Sequence, residues 1–117
     1  FHEDMKWQIN KEDYNDITLS LMNNYMLLTT EVAEVAEEFR NIFNLTNTYV
    51  NQGMKAEDAF LLAKEEVRVD LGKELADCLA YLVKFANFFE IDLEDSFYSK
   101  MAEVKHRKNK DVPLRNR

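Results

Sequence analysis

Four carboxylates stand in two short echoes of one pattern. The first is Glu31-Val-Ala-Glu34-Val-Ala-Glu37-Glu38-Phe-Arg40, and the second is Glu74-Leu-Ala-Asp77 inside an otherwise apolar run. Residues i and i+3 leave a helix on nearly the same side, so each pair presents both acids together. Four acids on neighbouring helices repel one another unless a cation lies among them. Each pair offers only oxygen donors, which suits a hard ion such as Mg2+, Mn2+ or Ca2+. Mg2+ keeps several waters and is completed by substrate phosphates, so the matching chemistry is in-line attack of a held water on phosphorus. Lys100 and Arg107, on a later helix, are the natural cationic clamps for phosphate oxygens.

A plainer reading stands beside this one. Glutamates three apart are frequent on wet helix faces, Tyr81 can be core, and Lys100 and Arg107 can be surface. Trp7 either stacks on a base or packs. Glu74 and Asp77 carry more weight than Glu31 and Glu34, because their neighbours are apolar. A di-iron site of the ferritin kind needs Glu-x-x-His, and His2 and His106 are not so placed. There is no Gly-rich phosphate loop and no Walker-type lysine, so metal and side chains would have to hold the phosphates.

The elements that must position these acids are helices. One proline (Pro113) and two glycines (Gly53, Gly72) in 117 residues leave few breakers, and the chain reads as a single all-α domain over 1–117. Apolar residues at 17, 21, 25, 28, 32, 35, 39 and 42 alternate in threes and fours, predicting a helix over about 17–43 capped by Asn15 or Asp16. Glu31 falls on the border of that stripe with Asn24 and Glu38, Glu34 lies farther round, and Glu37 points to solvent. The polar stretch 44–53 reads as a loop joining antiparallel helices. A second helix spans about 56–89, with Arg68, Leu71, Leu75, Leu79, Leu82, Ala86 and Phe89 as its main seam. Glu74, Asp77, Tyr81, Phe85 and Phe88 form a second face, so this helix is expected to be covered twice, the second time by another subunit. Asp92 caps a last helix from Leu93 to about Arg107, followed by a loose basic tail over 108–117.

The charge balance narrows the partners. Twenty-two acidic against fifteen basic residues give a net charge of −7, which disfavours polymeric nucleic acid and anionic membranes. No stretch approaches the length of an apolar membrane span. The single Cys78 lies in an apolar run, which fits an inert thiol and a reducing, cytoplasmic setting. The chain opens on Phe1 with no methionine and no signal-like start, which reads as the continuation of a longer chain.

With these residues in view, the chain resembles the MazG-type nucleotide pyrophosphohydrolases of the all-α NTP pyrophosphatase superfamily. The resemblance rests on Leu28-Thr-Thr-Glu31-Val-Ala-Glu34-Val-Ala-Glu37, on Leu71-Gly-Lys-Glu74-Leu-Ala-Asp77-Cys-Leu-Ala-Tyr81-Leu, and on the run from Phe85 through Asp92 to Lys100-Met101. It spans roughly 17–107. It implies helical protomers that assemble as dimers or dimers of dimers, and Mg2+-dependent hydrolysis of nucleoside triphosphates to monophosphate and pyrophosphate. Carried over, it makes Glu31, Glu34, Glu74 and Asp77 metal ligands, with Glu34 or Glu38 handling the attacking water. Tyr81, Lys100 and Arg107 become substrate contacts, and Trp7 resembles the aromatic after the family's first helix, which makes Phe1–Trp7 the remnant of that helix. Two departures stand out. The spacer from Glu34 to Glu74 is longer than the family's usual one, and Val104 stands where an asparagine is common, a contact that is then either absent or supplied by Asn24, Asn87 or Asn109. A non-catalytic helical oligomerisation or adaptor module, and a dUTP or phosphoribosyl-ATP pyrophosphohydrolase, are the alternatives.

Overall fold

In a computed structural model the chain is described at Ile9 and over residues 12–115, with side chains to residue 107. Among the described residues there are three helices and no strand: α1 (Tyr14–Asn51), α2 (Ala56–Phe88) and α3 (Leu93–Arg115). The all-α expectation holds. The helix remnant expected at Phe1–Trp7 lies outside the described residues.

α1 starts one turn before the expected cap: Asp13 is the N-cap, and its carboxylate accepts from the Asp16 N–H at 2.8 Å. At its other end α1 runs straight through the stretch read as a loop. Threonine competes poorly with a helix when its hydroxyl bonds back to a carbonyl one turn earlier. Thr46 donates to Ile42 O at 2.7 Å and Thr48 to Asn44 O at 3.0 Å. Leu45 and Tyr49 then pack on the buried cluster of Ile42, Ala63 and Val67, and the Tyr49 hydroxyl donates to Glu66 across the pair. The extra residues between the acid pairs therefore lengthen a helical hairpin, and only 52–55 are left as the connection.

Both hairpin ends close in the same way. At the end of α1, Gly53 takes φ 107°, Met54 N–H reaches Tyr49 O at 3.1 Å and Gly53 N–H reaches Val50 O at 3.0 Å. That is a Schellman closure with glycine at the left-handed position. At the end of α2, Ile91 N–H reaches Ala86 O at 2.8 Å and Glu90 N–H reaches Asn87 O at 3.2 Å, but the left-handed residue is Glu90 with φ 56°. Asp92 caps α3 as expected, accepting from Asp95 N–H at 3.0 Å. α3 continues past Arg107 to Arg115. Its run of good helix formers carries the backbone on, and Pro113 removes one hydrogen bond only two residues before the end.

α1 and α2 pack antiparallel along a seam. On α1 the buried or half-buried positions include 17, 21, 24, 28, 31, 35, 38, 42, 45 and 49, an alternation of four and three, with 16, 20 and 46 half-buried beside it. Tyr25, Val32 and Phe39, read from sequence as part of the stripe, are exposed, and Glu31 and Glu38 sit in the seam itself. On α2 the expected main seam packs inward only in part: Leu71 and Ala86 are on the inner side, but its middle is not. Glu74, Cys78, Tyr81, Phe85 and Phe88 turn to α1, whereas Leu75, Leu79 and Leu82 of the expected main seam are 51%, 55% and 47% exposed. α3 packs little on either helix, and Phe97, Tyr98 and Met101 are exposed along it. The radius of gyration is 20.0 Å, against roughly 13 Å for a compact domain of this length. No described helix is long and apolar enough to cross a membrane.

A non-glycine residue in the left-handed region costs about 1 kcal/mol. Glu90→Gly is expected to raise stability by about that amount, and Gly53→Ala to lower it similarly, in urea unfolding monitored by circular dichroism. Opposite signs at the two positions are the diagnostic result.

Candidate metal centre

The antiparallel seam brings the two acid pairs together. Glu31 from α1 and Glu74 and Asp77 from α2 each place a carboxylate oxygen within 4.8 Å of the others. Glu31 and Glu74 are half-buried and Asp77 is exposed at the mouth. Three hard oxygen donors from two helices suit a divalent ion with room left for water and phosphate. The alanines within the motifs, Ala33, Ala36 and Ala76, are exposed, so the close approach of the helices is made elsewhere, at the buried Ala59 and Ala63.

The electrostatics record the crowding. Glu31 is held above the ordinary carboxyl value of 4.5, first by burial and then by the charges of Asp77 and Glu74, a hydrogen bond with Asp77, and the charge of Glu34. Glu74 is likewise raised, by burial and then by Glu34, Asp77, Glu38 and Asp70. Glu34 therefore stands near both groups although it is not among the three that converge. Glu38 is oriented: Asn41 Nδ2 donates to its Oε1 at 2.8 Å. It also lines an open cleft of about 430 Å³ with Asn41, Asn44, Thr48, Glu66 and Asp70, over Leu45 and Val67. Glu37 is paired with Arg40 at 3.5 Å on an exposed face, the solvated role expected of it.

Tyr81 is half-buried one turn past Asp77, and burial followed by the charges of Glu31 and Asp77 pushes its hydroxyl up, so it keeps its proton as a donor. Cys78 is pushed up by burial, then by Glu31, Asp77 and Glu74, which leaves an unreactive thiol. Asn24 is enclosed in the seam two turns before Glu31. Its Nδ2 donates to Ser20 O at 2.7 Å, and its Oδ1 has no partner. Lys100 and Arg107 lie on α3, away from this cluster, and Lys100 is 3.4 Å from Glu103. Trp7 lies outside the described residues. One cation went unread in the sequence: Lys84, with its ammonium 5.6 Å from the centre of the Tyr81 ring. Its signal is spacing, three residues past Tyr81 and seven past Asp77 on one helix face.

An all-α hairpin with a carboxylate cluster at its seam defines the class of protein. The profile of the MazG nucleotide pyrophosphohydrolase domain matches residues 19–112, and the chain belongs to that family. No curated protein and no solved structure gives a match.

The raised carboxyls carry a sign that can be tested. Folding makes Glu31 and Glu74 bind protons more readily than the unfolded chain does, so their contribution to stability falls as pH rises through the window above 4.5. The protein in chelator is expected to lose stability across that window on the way to neutral pH. Glu31→Gln and Glu74→Gln are expected to flatten that slope, and excess Mg2+ to add most stability at neutral pH. Thermal melts over a pH series with and without Mg2+ check this; a slope unchanged in both variants contradicts it.

Proposed function

We propose that the chain hydrolyses a nucleoside triphosphate to the monophosphate and pyrophosphate, with Glu31, Glu34, Glu74 and Asp77 as the donor set for Mg2+, or Mn2+ in its place. The observation that carries this reading is the convergence of Glu31, Glu74 and Asp77 from two helices, in a seam where repulsion alone would disfavour them. A bound divalent ion would neutralise the acids and draw phosphate oxygens to the site. Solvent-directed glutamates of an adaptor module would not need to meet in this way.

The side chains divide the remaining work. Glu34 stands beside the cluster, able to complete the donor set or to take a proton from the attacking water. Glu38, held by Asn41, is the second candidate for that proton, since it borders both Glu74 and the cleft. Attack of the water oxygen on the α-phosphorus forms one P–O bond and breaks the α–β bridge, with pyrophosphate as leaving group and the water's proton on the carboxylate. The Tyr81 hydroxyl donates to the bound nucleotide.

Lys100 and Arg107 enter this scheme through a second copy. The exposed Leu75, Leu79 and Leu82 of α2 and Tyr25, Val32 and Phe39 of α1 need cover, and α3 of the same chain does not provide it. A homodimer or dimer of dimers would bury these faces and bring a neighbour's α3 to the acid mouth. The substrate in this reading is a canonical or damaged (d)NTP, with dUTP or phosphoribosyl-ATP as the alternatives.

Pyrophosphate release from a panel of NTPs and dNTPs with Mg2+ tests the activity. Asp77→Ala is expected to lower turnover on the order of a hundredfold or more. No turnover of any nucleotide, or a fully active variant, sinks the reading. Sedimentation is expected to show a dimer or larger species, and Leu79→Glu to shift it toward monomer; a wild-type monomer at micromolar concentration contradicts the assembly.

A further inference from the structure

The groove between α1 and α2 is electrically lopsided about the acid cluster. On the side of the hairpin turn it is lined by Glu38, Glu66 and Asp70, with amides and a threonine between them. On the other side, along α2, come Tyr81 and then Lys84. A phosphate chain held at Glu31, Glu74 and Asp77 meets three further carboxylates if it runs toward the turn. It meets a cation if it runs the other way.

Lys84 is built to face that chain. Asp77, Tyr81 and Lys84 fall within roughly 60° of one another around the helix, and Lys84 lies about 10 Å along the axis from Asp77. Helical side chains lean toward the N-terminus, which carries the ammonium back over Tyr81 toward the acids. Its position over that ring, 5.6 Å from the centre, is this leaning made visible. Lys84 is half-buried rather than free in solvent, and burial pulls its ammonium below the ordinary value of 10.5, so an arriving anion restores what desolvation removed. The two arginines of the hairpin pair locally, Arg40 with Glu37 and Arg68 with Glu65 at 3.3 Å, both on exposed faces. Lys100 belongs to a helix that packs little on this hairpin.

We infer that Lys84 is a substrate-binding residue of this site, contacting the phosphate oxygens beyond the one attacked, and that Tyr81 serves as its platform. This rests on the nucleotide pyrophosphohydrolase reading and adds a direction to it: the leaving phosphates lie toward Lys84, and the nucleoside lies toward the cleft of Glu38, Asn41 and Asp70. Ribose hydroxyls and base N–H groups are donors, and carboxylates and amide oxygens accept from them.

The test is equilibrium binding to the full chain with Mg2+, using two probes: inorganic tripolyphosphate, which has no base or sugar, and a nucleotide with a non-hydrolysable α,β-bridge. Lys84→Met is expected to weaken both by roughly tenfold or more, and Lys84→Arg to restore most of the loss. Thermal melts of both variants establish that the fold is kept. Unchanged tripolyphosphate affinity in Lys84→Met overturns the inference, as does a loss confined to the nucleotide, which would put Lys84 on the nucleoside. If the wild type binds neither probe, the inference and the functional reading fall together. If tripolyphosphate binding depends on Lys84 but no nucleotide is turned over, the contact stands and the enzymatic reading falls.

Discussion

Carboxylates from opposite helices, Glu31 and Glu74, occupy seam positions where a helix pair ordinarily places apolar side chains, and the rest of the structure is arranged around their repulsion. Burial and mutual charge both favour their neutral forms, so at neutral pH the middle of the hairpin is held together against a local cost. The compensation lies nearer the hairpin turn. Ile42, Ala63 and Val67 are buried together, Leu45, Tyr49 and Leu71 close around them, and the Schellman closure at Gly53 satisfies the last carbonyls of α1. The long spacer between the acid pairs thus has a structural meaning. It supplies an apolar-packed stretch of seam, bordered by Glu66 and Asp70, that holds the two helices in register while the middle carries charge.

The second cost is exposed apolar surface. Small helical domains bury their leucines poorly at best, and here the leucine row of α2 faces outward while its acid and aromatic row faces α1. The choice follows from size. Ala59 and Ala63 are fully buried, and this small-residue contact near the turn fixes how α2 is rotated against α1. Once that rotation is set, positions 74, 78, 81, 85 and 88 must be the inner row, whatever their polarity.

That explains what could be read in the chain and what could not. Helix existence followed from the alternation of threes and fours and from the scarcity of proline and glycine. The meeting of Glu31 with Glu74 and Asp77 followed from their spacing. The rotation did not follow, because both the leucine row and the Tyr81–Phe88 row of α2 have helical period, and α1 offers Tyr25, Val32 and Phe39 as readily as Leu28 and Val35. Hydrophobicity ranks such faces but does not choose between an inner partner and another subunit. Residues 44–51 carry the composition of a loop because asparagine and threonine favour turns when their side chains compete for the backbone. Here Thr46 and Thr48 turn that competition inward, onto carbonyls of their own helix. Lys84 escaped because a lysine among Val83, Phe85 and Ala86 shows no pattern until Tyr81 is known to face the acids.

The two costs meet on α2 without interfering. Around that helix the leucine row stands roughly 80–160° from Glu74 and Asp77. A second copy can therefore cover Leu75, Leu79 and Leu82 while Asp77 stays open at the mouth, where it is exposed in the single chain. Had the leucines faced α1 and the acids faced outward, assembly would have competed with substrate for one surface. With the acids in the seam, the hairpin holds the ligands and the outer face is free for association. Cations from α3 can then arrive along the rim between the two surfaces. Which row of α2 packs inward is thus the point on which the site's accessibility turns.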